Sequence, residues 1–260
     1  MRKWFNFCGE ELDFDDEKFC GYFFAEVSAL AYLSWEDASP HIQDLGFNNH
    51  KFLDVDGAQC HIFYDDQDVV IAFRGTEPKQ WSDVKADLLA LKRKSNSEGR
   101  VHLGFLREIN KLWESIEKEL EDKPDHQIWI CGHSLGGAMA TLCANRLKDS
   151  VPILYTYGSP RVGGPIFVER CDVEHHRYRN NNDIVPTVPL WLMGFRHHGD
   201  LHYINYYGNI RNLTFWQKFK DSMRGRWKAL KKLQLFDGVY DHNITEGYSD
   251  QLAKIYFTDK

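Results

Sequence analysis

The sequence predicts an α/β protein, a mostly parallel central sheet with helices on both faces. Short apolar runs suited to strands alternate with longer stretches that repeat apolar residues at helical spacing. The run Ile128-Trp129-Ile130-Cys131 shows no polar alternation, as expected of a strand covered on both faces. A glycine-rich turn joins that run to a helical pattern that begins at once.

The elements follow in order. Residues 17–34 read as an amphipathic helix, with Phe19, Phe23, Val27 and Leu30 at helical spacing. Residues 60–64 and 69–73 read as two short strands, with Asp65-Asp66 in the turn between them. The stretch 75–85 has turn residues and no period. Residues 105–121 are helical, with Phe105, Ile109, Leu112 and Ile116 on one face. After the buried strand 128–131 come a helix at 135–147, strands at 153–157 and 176–179, and a strand or hairpin arm at 201–207. Helices are expected at 215–233 and 245–257. The pattern is weakest over 186–214, which is rich in Pro, Gly and Asn. With no repeat and no visible boundary, the 260 residues predict one domain over 1–260.

Composition narrows the function. The net charge is -6, so no global basic field draws the chain to nucleic acid. No apolar run approaches the ~18 residues needed to cross a bilayer. Aromatics at 14% suit a large core and also a site for apolar ligands. The start, Met1-Arg2-Lys3-Trp4-Phe5, is positive but lacks the apolar stretch of a secretory signal, and Glu10, Glu11, Asp13, Asp15 and Asp16 follow. A cytoplasmic home is the expectation, although a trimmed leader or another route of secretion would leave the same residues. None of the six cysteines forms a Cys-x-x-Cys pair, which argues against zinc fingers and thioredoxin-like sites; reduced, mostly buried thiols are expected.

The chemistry starts at Gly132-His133-Ser134-Leu135-Gly136, the sole Gly-x-Ser-x-Gly in the chain. It follows a strand and opens a helix, the strand–turn–helix context of a nucleophile elbow. Such a turn is sharp, so small residues must flank the serine, and Gly132, Gly136, Gly137 and Ala138 supply them. A serine hydroxyl is a weak nucleophile and needs a base, and in this arrangement the partners follow in the order Ser, Asp or Glu, His. His133 faces away from the site in elbow geometry and reads as a packing residue.

Five motifs in order carry a family resemblance: Phe73-Arg74-Gly75-Thr76, Val101-His102-Leu103-Gly104-Phe105, Gly132-His133-Ser134-Leu135-Gly136-Gly137, Tyr157-Gly158-Ser159-Pro160-Arg161-Val162-Gly163, and Asn182-Asp183-Ile184-Val185-Pro186. Over residues ~50–260 the chain resembles the class 3 lipases, the family of the fungal triacylglycerol lipases. The helix at 17–34 also fits that family's opening. The resemblance implies an α/β-hydrolase fold.

By that resemblance Asp183 is the acid that holds the imidazole, with Asp172 and Asp200 as weaker rivals. His242, in Tyr240-Asp241-His242-Asn243-Ile244 before the last helix, matches the family's base. His197, His198 and His202 also follow Asp183; the one matching a family histidine, His197, is structural there. Their spacing fits no strong metal motif, and a serine triad needs neither metal nor cofactor. One oxyanion donor is the backbone N–H of Leu135; the resemblance puts the other at Thr76. Residues 77–85 fall at the family's lid, with Trp81 either a moving tip or a fixed wall of the substrate pocket.

Residues 215–233 set Phe215, Phe219, Met223, Trp227 and Leu230 in one stripe among seven lysines and arginines. That fits a transient contact with an anionic lipid surface, and equally a helix packed on the core with its charged face solvated. The implied reaction is hydrolysis of acylglycerol-type or similar fatty acyl esters through an acyl-enzyme. Phospholipase A1 or galactolipase activity, acyl transfer, and a non-catalytic binding protein on the same fold are the alternatives.

Overall fold

The computed structural model describes residues 4–5, 12–75, 99–211, 217 and 241–258, with the backbone of 92–94. The chain enters through α1 (Glu17–Leu30), whose first turn is capped by the Asp16 side chain accepting from the N–H groups of Lys18 and Phe19. The expected helix over 17–34 stops at Leu30, because the N–H groups of Tyr32 and Leu33 turn back to the carbonyls of Ala29 and Leu30. Ser34 then caps a separate helix, α2 (Trp35–Asp44), which holds Pro40 in its interior.

Strands β1 (Asn49–Val55), β2 (Ala58–Tyr64) and β3 (Asp68–Phe73) form an antiparallel meander. A small ladder, β4 (Lys92–Lys94) with β5 (Arg100–His102), leads into α3 (Leu103–Leu120). Then come β6 (Gln127–His133), α4 (Leu135–Arg146), β7 (Ile153–Tyr157), α5 (Pro165–Arg170), β8 (Glu174–Asn180), β9 (Asp200–Ile204) and α6 (Asp250–Thr258). The main sheet runs β1-β2-β3-β6-β7-β8-β9, parallel from β3 onward. Helix–strand alternation produces this, since parallel neighbours need a crossover between them.

The period of two along each strand splits the core into two layers. In β3, Val70 and Ala72 face α1, while Val69, Ile71 and Phe73 face α3 and α4. The α1 layer is aromatic: Phe24 stacks on Tyr155 at 4.6 Å and on Trp129 at 5.3 Å between ring centroids. Burying one such ring contributes about 1.5–3 kcal/mol. The five described cysteines, Cys20, Cys60, Cys131, Cys143 and Cys171, are free and buried, as expected for packed thiols. No helix among the described residues is long and apolar enough to cross a membrane.

Candidate active site

Three parallel strands end side by side, and their C-terminal ends carry the site, as is usual for open α/β sheets. At the end of β6 the chain turns through Ser134, with φ 59° and ψ -125°. A non-glycine residue held there costs on the order of 1–3 kcal/mol. The turn is enforced from both sides: the Ser134 N–H extends the sheet to the Tyr157 carbonyl at 3.0 Å, and α4 starts at the next residue. Gly136 permits it, since a Cβ there would sit 2.3 Å from the Phe73 carbonyl oxygen. Ser134 is fully buried, and its Oγ has no hydrogen-bond partner among the described residues. Leu135 is the first residue of α4, so its N–H has no acceptor within the helix and the helix dipole favours negative charge beside it.

Asp183 and His242 meet although 59 residues separate them. His242 Nδ1 lies 2.8 Å from Asp183 Oδ2 and 3.0 Å from Oδ1. Asp183 is fully buried, and two further donors serve its carboxylate: the Val185 N–H at 2.9 Å and the Tyr248 hydroxyl at 2.5 Å. A buried carboxylate without such donors would cost several kcal/mol. Tyr248 also accepts the Asn180 N–H at 3.1 Å, so one phenol ties the end of β8 to the carboxylate. Burial pushes this phenol well above its usual range, with the adjacent Asp183 charge next in effect, so it stays a donor.

The loops bearing the two residues brace each other. Asn182 N–H donates to Asp241 Oδ2 at 3.0 Å, and the Asn180 side chain donates to the Asp241 carbonyl at 3.2 Å. Asn243 then accepts from the N–H groups of Thr245 and Glu246, capping the wide turn Ile244–Ser249 ahead of α6. Gly158, at the end of β7, lies against the pair. Its φ is +57°, and a Cβ there would sit 2.7 Å from Asp183 Oδ2 and 3.0 Å from the His242 ring.

His133 is more than packing. Its Nε2 reaches the His242 carbonyl at 2.7 Å, and its Nδ1 meets the Tyr32 hydroxyl at 2.8 Å. A carbonyl only accepts, so the proton sits on Nε2 and Tyr32 donates to Nδ1. Burial pushes His133 well below the usual imidazole range, and nearby His242 acts the same way.

Of the residues expected from sequence, Asp183 and His242 are brought into contact and Ser134 occupies the elbow. Asp172 and Asp200 are exposed. His197 donates to the Pro186 carbonyl at 2.7 Å, a structural bond below the Asp183 loop. Thr76, Trp81 and the expected lid at 77–85 lie outside the described residues, as does the 215–233 segment apart from Gln217. Tyr32, Tyr248 and the role of Gly158 were not foreseen. Gly158 alone had a local signal, its place in the Tyr157-Gly158-Ser159-Pro160 motif.

Sheet order and strained elbow together define an α/β-hydrolase fold. The family model described as Lipase (class 3) matches residues 70–193, and over that stretch the chain is similar to the family. It is 35% identical over 153 residues to a lipase of Rhizomucor miehei, covering 52% of this chain and 41% of that protein. It is 38% identical over 110 residues to secreted mono- and diacylglycerol lipase 1 of Fusarium solani, covering 37% of this chain and 32% of that one. The chain thus spans less than half the length of these two curated relatives. Among solved structures, a triacylglycerol lipase whose catalytic centre is formed by a serine protease triad superposes with a TM-score of 0.58 at 27% identity, covering 70% of this chain and 78% of that one. The cytoplasmic expectation is corrected here: several relatives are named as secreted lipases. That expectation rested on the character of the first residues, whereas the kinship lies in the hydrolase core.

Proposed function

We propose that the chain is a serine-dependent carboxylic ester hydrolase acting on acylglycerol-type or similar fatty acyl esters. Ser134 is the nucleophile, His242 the general base and Asp183 the acid that orients it. The carrying observation is the pairing of His242 Nδ1 with both oxygens of the buried Asp183, in a chain whose Ser134 sits on a strained strand–helix turn. With its proton held on Nδ1, the imidazole offers Nε2 to the serine proton. Ser134 Oγ then adds to the ester carbonyl, and the N–H of Leu135 stabilises the oxyanion, with Thr76 as the second donor implied by kinship. His242 returns the proton to the departing alkoxide, leaving an acyl-serine. Water, deprotonated by the same imidazole, releases the fatty acid. The secreted mono- and diacylglycerol lipase among the relatives supports the choice of substrate class.

The test is hydrolysis of p-nitrophenyl esters from acetate to palmitate, and of a diacylglycerol emulsion, by wild type beside Ser134→Ala. Wild-type turnover that falls at least about 10³-fold in the variant is expected. A folded wild type inactive on every ester would overturn the proposal.

A further inference from the structure

At the far edge of the sheet, away from the Asp183–His242 pair, β8 and β9 bring a second cluster together. The strands pair so that Tyr178 lies beside His202, and His176 is one step back on the same face. His176 Nδ1 and His202 Nε2 face each other at 3.2 Å. Both rings are held by stacking, His176 on Tyr155 at 4.7 Å and His202 on Tyr178 at 4.6 Å.

The outer nitrogens of both rings meet carboxylates. His176 Nε2 lies 2.8 Å from Glu174 Oε1, and a carboxylate only accepts, so that nitrogen carries the proton and Nδ1 presents a lone pair. His202 Nδ1 lies 3.6 Å from Glu17 Oε1, so that carboxylate stands beside the ring without a hydrogen bond to it. The two facing nitrogens stand at hydrogen-bond distance, and without a proton on His202 Nε2 their lone pairs converge on the place a cation would take. A carboxylate behind an imidazole whose other nitrogen is free is the arrangement found around protein-bound zinc. Metal–nitrogen bonds of about 2.0–2.1 Å spanning the gap would make an angle of roughly 100°, near tetrahedral.

Glu17, His176 and His202 each offer a ligand atom, and these atoms lie within 4.8 Å of one another. They are the one such group among the described residues. Glu17 sits in the first turn of α1 with its side chain mostly exposed, free to close on an ion. Glu17 and His202 also line a cleft of about 600 Å³ that would let an ion enter. The sequence hid this site because His202 pairs with a strand neighbour 26 residues away, not with His197 or His198 beside it.

We propose that His176 Nδ1, His202 Nε2 and Glu17 bind a zinc-class divalent transition metal ion, with water completing its shell. The ion would pin β8 and the edge strand β9 to the start of α1, a structural role separate from ester hydrolysis.

Calorimetric titration of Zn²⁺ into untagged, chelator-stripped protein tests this. One site per chain is expected, with a dissociation constant on the order of micromolar or tighter. Bound zinc should raise the thermal midpoint by about 3–5 °C, and a chelator should reverse the rise. His202→Ala should weaken binding by at least about 100-fold. Glu174→Gln and Glu17→Gln, substitutions at exposed carboxylates, should weaken it about 10- to 100-fold. Wild type that binds no zinc would overturn the proposal and leave a proton shared between the rings. Equal binding by wild type and both glutamine variants would overturn it too, by placing the metal elsewhere.

Discussion

His133 holds His242 by its backbone: the imidazole Nε2 of one lies 2.7 Å from the carbonyl oxygen of the other. The residue before Ser134 thereby fixes where the main chain at His242 passes. Tyr32, donating to His133 Nδ1, extends the chain of bonds back to the end of α1.

Replacing His133 by alanine leaves a buried carbonyl unpaired, at a cost of about 1–3 kcal/mol. A fall in kcat of roughly 10- to 100-fold at unchanged KM is expected, because the base shifts while the substrate contacts do not. His133→Gln, which keeps a donor, should recover part of the loss. Steady-state kinetics of the two variants decides; equal rates for both would show that the bond is irrelevant to turnover.

Tyr248→Phe removes a donor to the Asp183 carboxylate and the acceptor of the Asn180 N–H. Hydrogen bonds to charged groups contribute about 1.5–3 kcal/mol, so stability should drop by about 2 kcal/mol in a urea titration. Turnover should fall about 10-fold, since the carboxylate keeps its other partners. An unchanged denaturation midpoint would contradict the bonding described.

Gly158→Ala should be more severe than its size suggests. The new methyl meets both Asp183 and His242, and the residue is strained at φ +57° by about 1–2 kcal/mol. Misplacing a catalytic pair by an ångström costs about 100-fold, which sets the expected loss in kcat/KM. A fully active alanine variant would mean the pair has room that the structure does not allow.

Acid should destabilise the fold in a defined window. Burial lowers His61 to about 3, and pushes His133, His175 and His197 well below the usual range. In the unfolded chain each takes a proton near pH 6.5. Below that pH the unfolded state binds more protons, so stability is full above it and declines as pH falls. Each such histidine contributes a slope of up to about 1.4 kcal/mol per pH unit. Melting curves from pH 7.5 to 5 should show a midpoint that drops steadily; a flat profile would refute the neutral state of these rings.

The sheet was legible where burial is two-sided. Residues 153–157 matched β7 residue for residue, and the run 128–131 lay inside β6. Strand β1 escaped because it is an edge strand that leaves Asn49, Lys51 and Asp54 exposed and so shows no apolar run. Helix α2 escaped because Pro40 reads as a breaker, although Ser34 caps the helix and Ala38 and Ile42 are buried beneath it. At the candidate site, Ser134, Asp183 and His242 were singled out because each sits in a short motif with a chemical reason. Tyr32 and Tyr248 carry no such local mark. Tyr32 acts on a histidine 101 residues away and Tyr248 on a carboxylate 65 residues away, so their roles exist only once the sheet has formed.

The buried thiols set how the chain meets oxidants. Burial raises Cys20, Cys131 and Cys143 to about 12, far above any physiological pH, so the reactive thiolate is absent while the fold is intact. Once unfolded, the same groups ionise near pH 8.5 and become open to oxidation and scrambling. For these three thiols reducing agent therefore matters during refolding and not during storage, and the rate at which thiol reagents label them becomes a clock for the opening of the core.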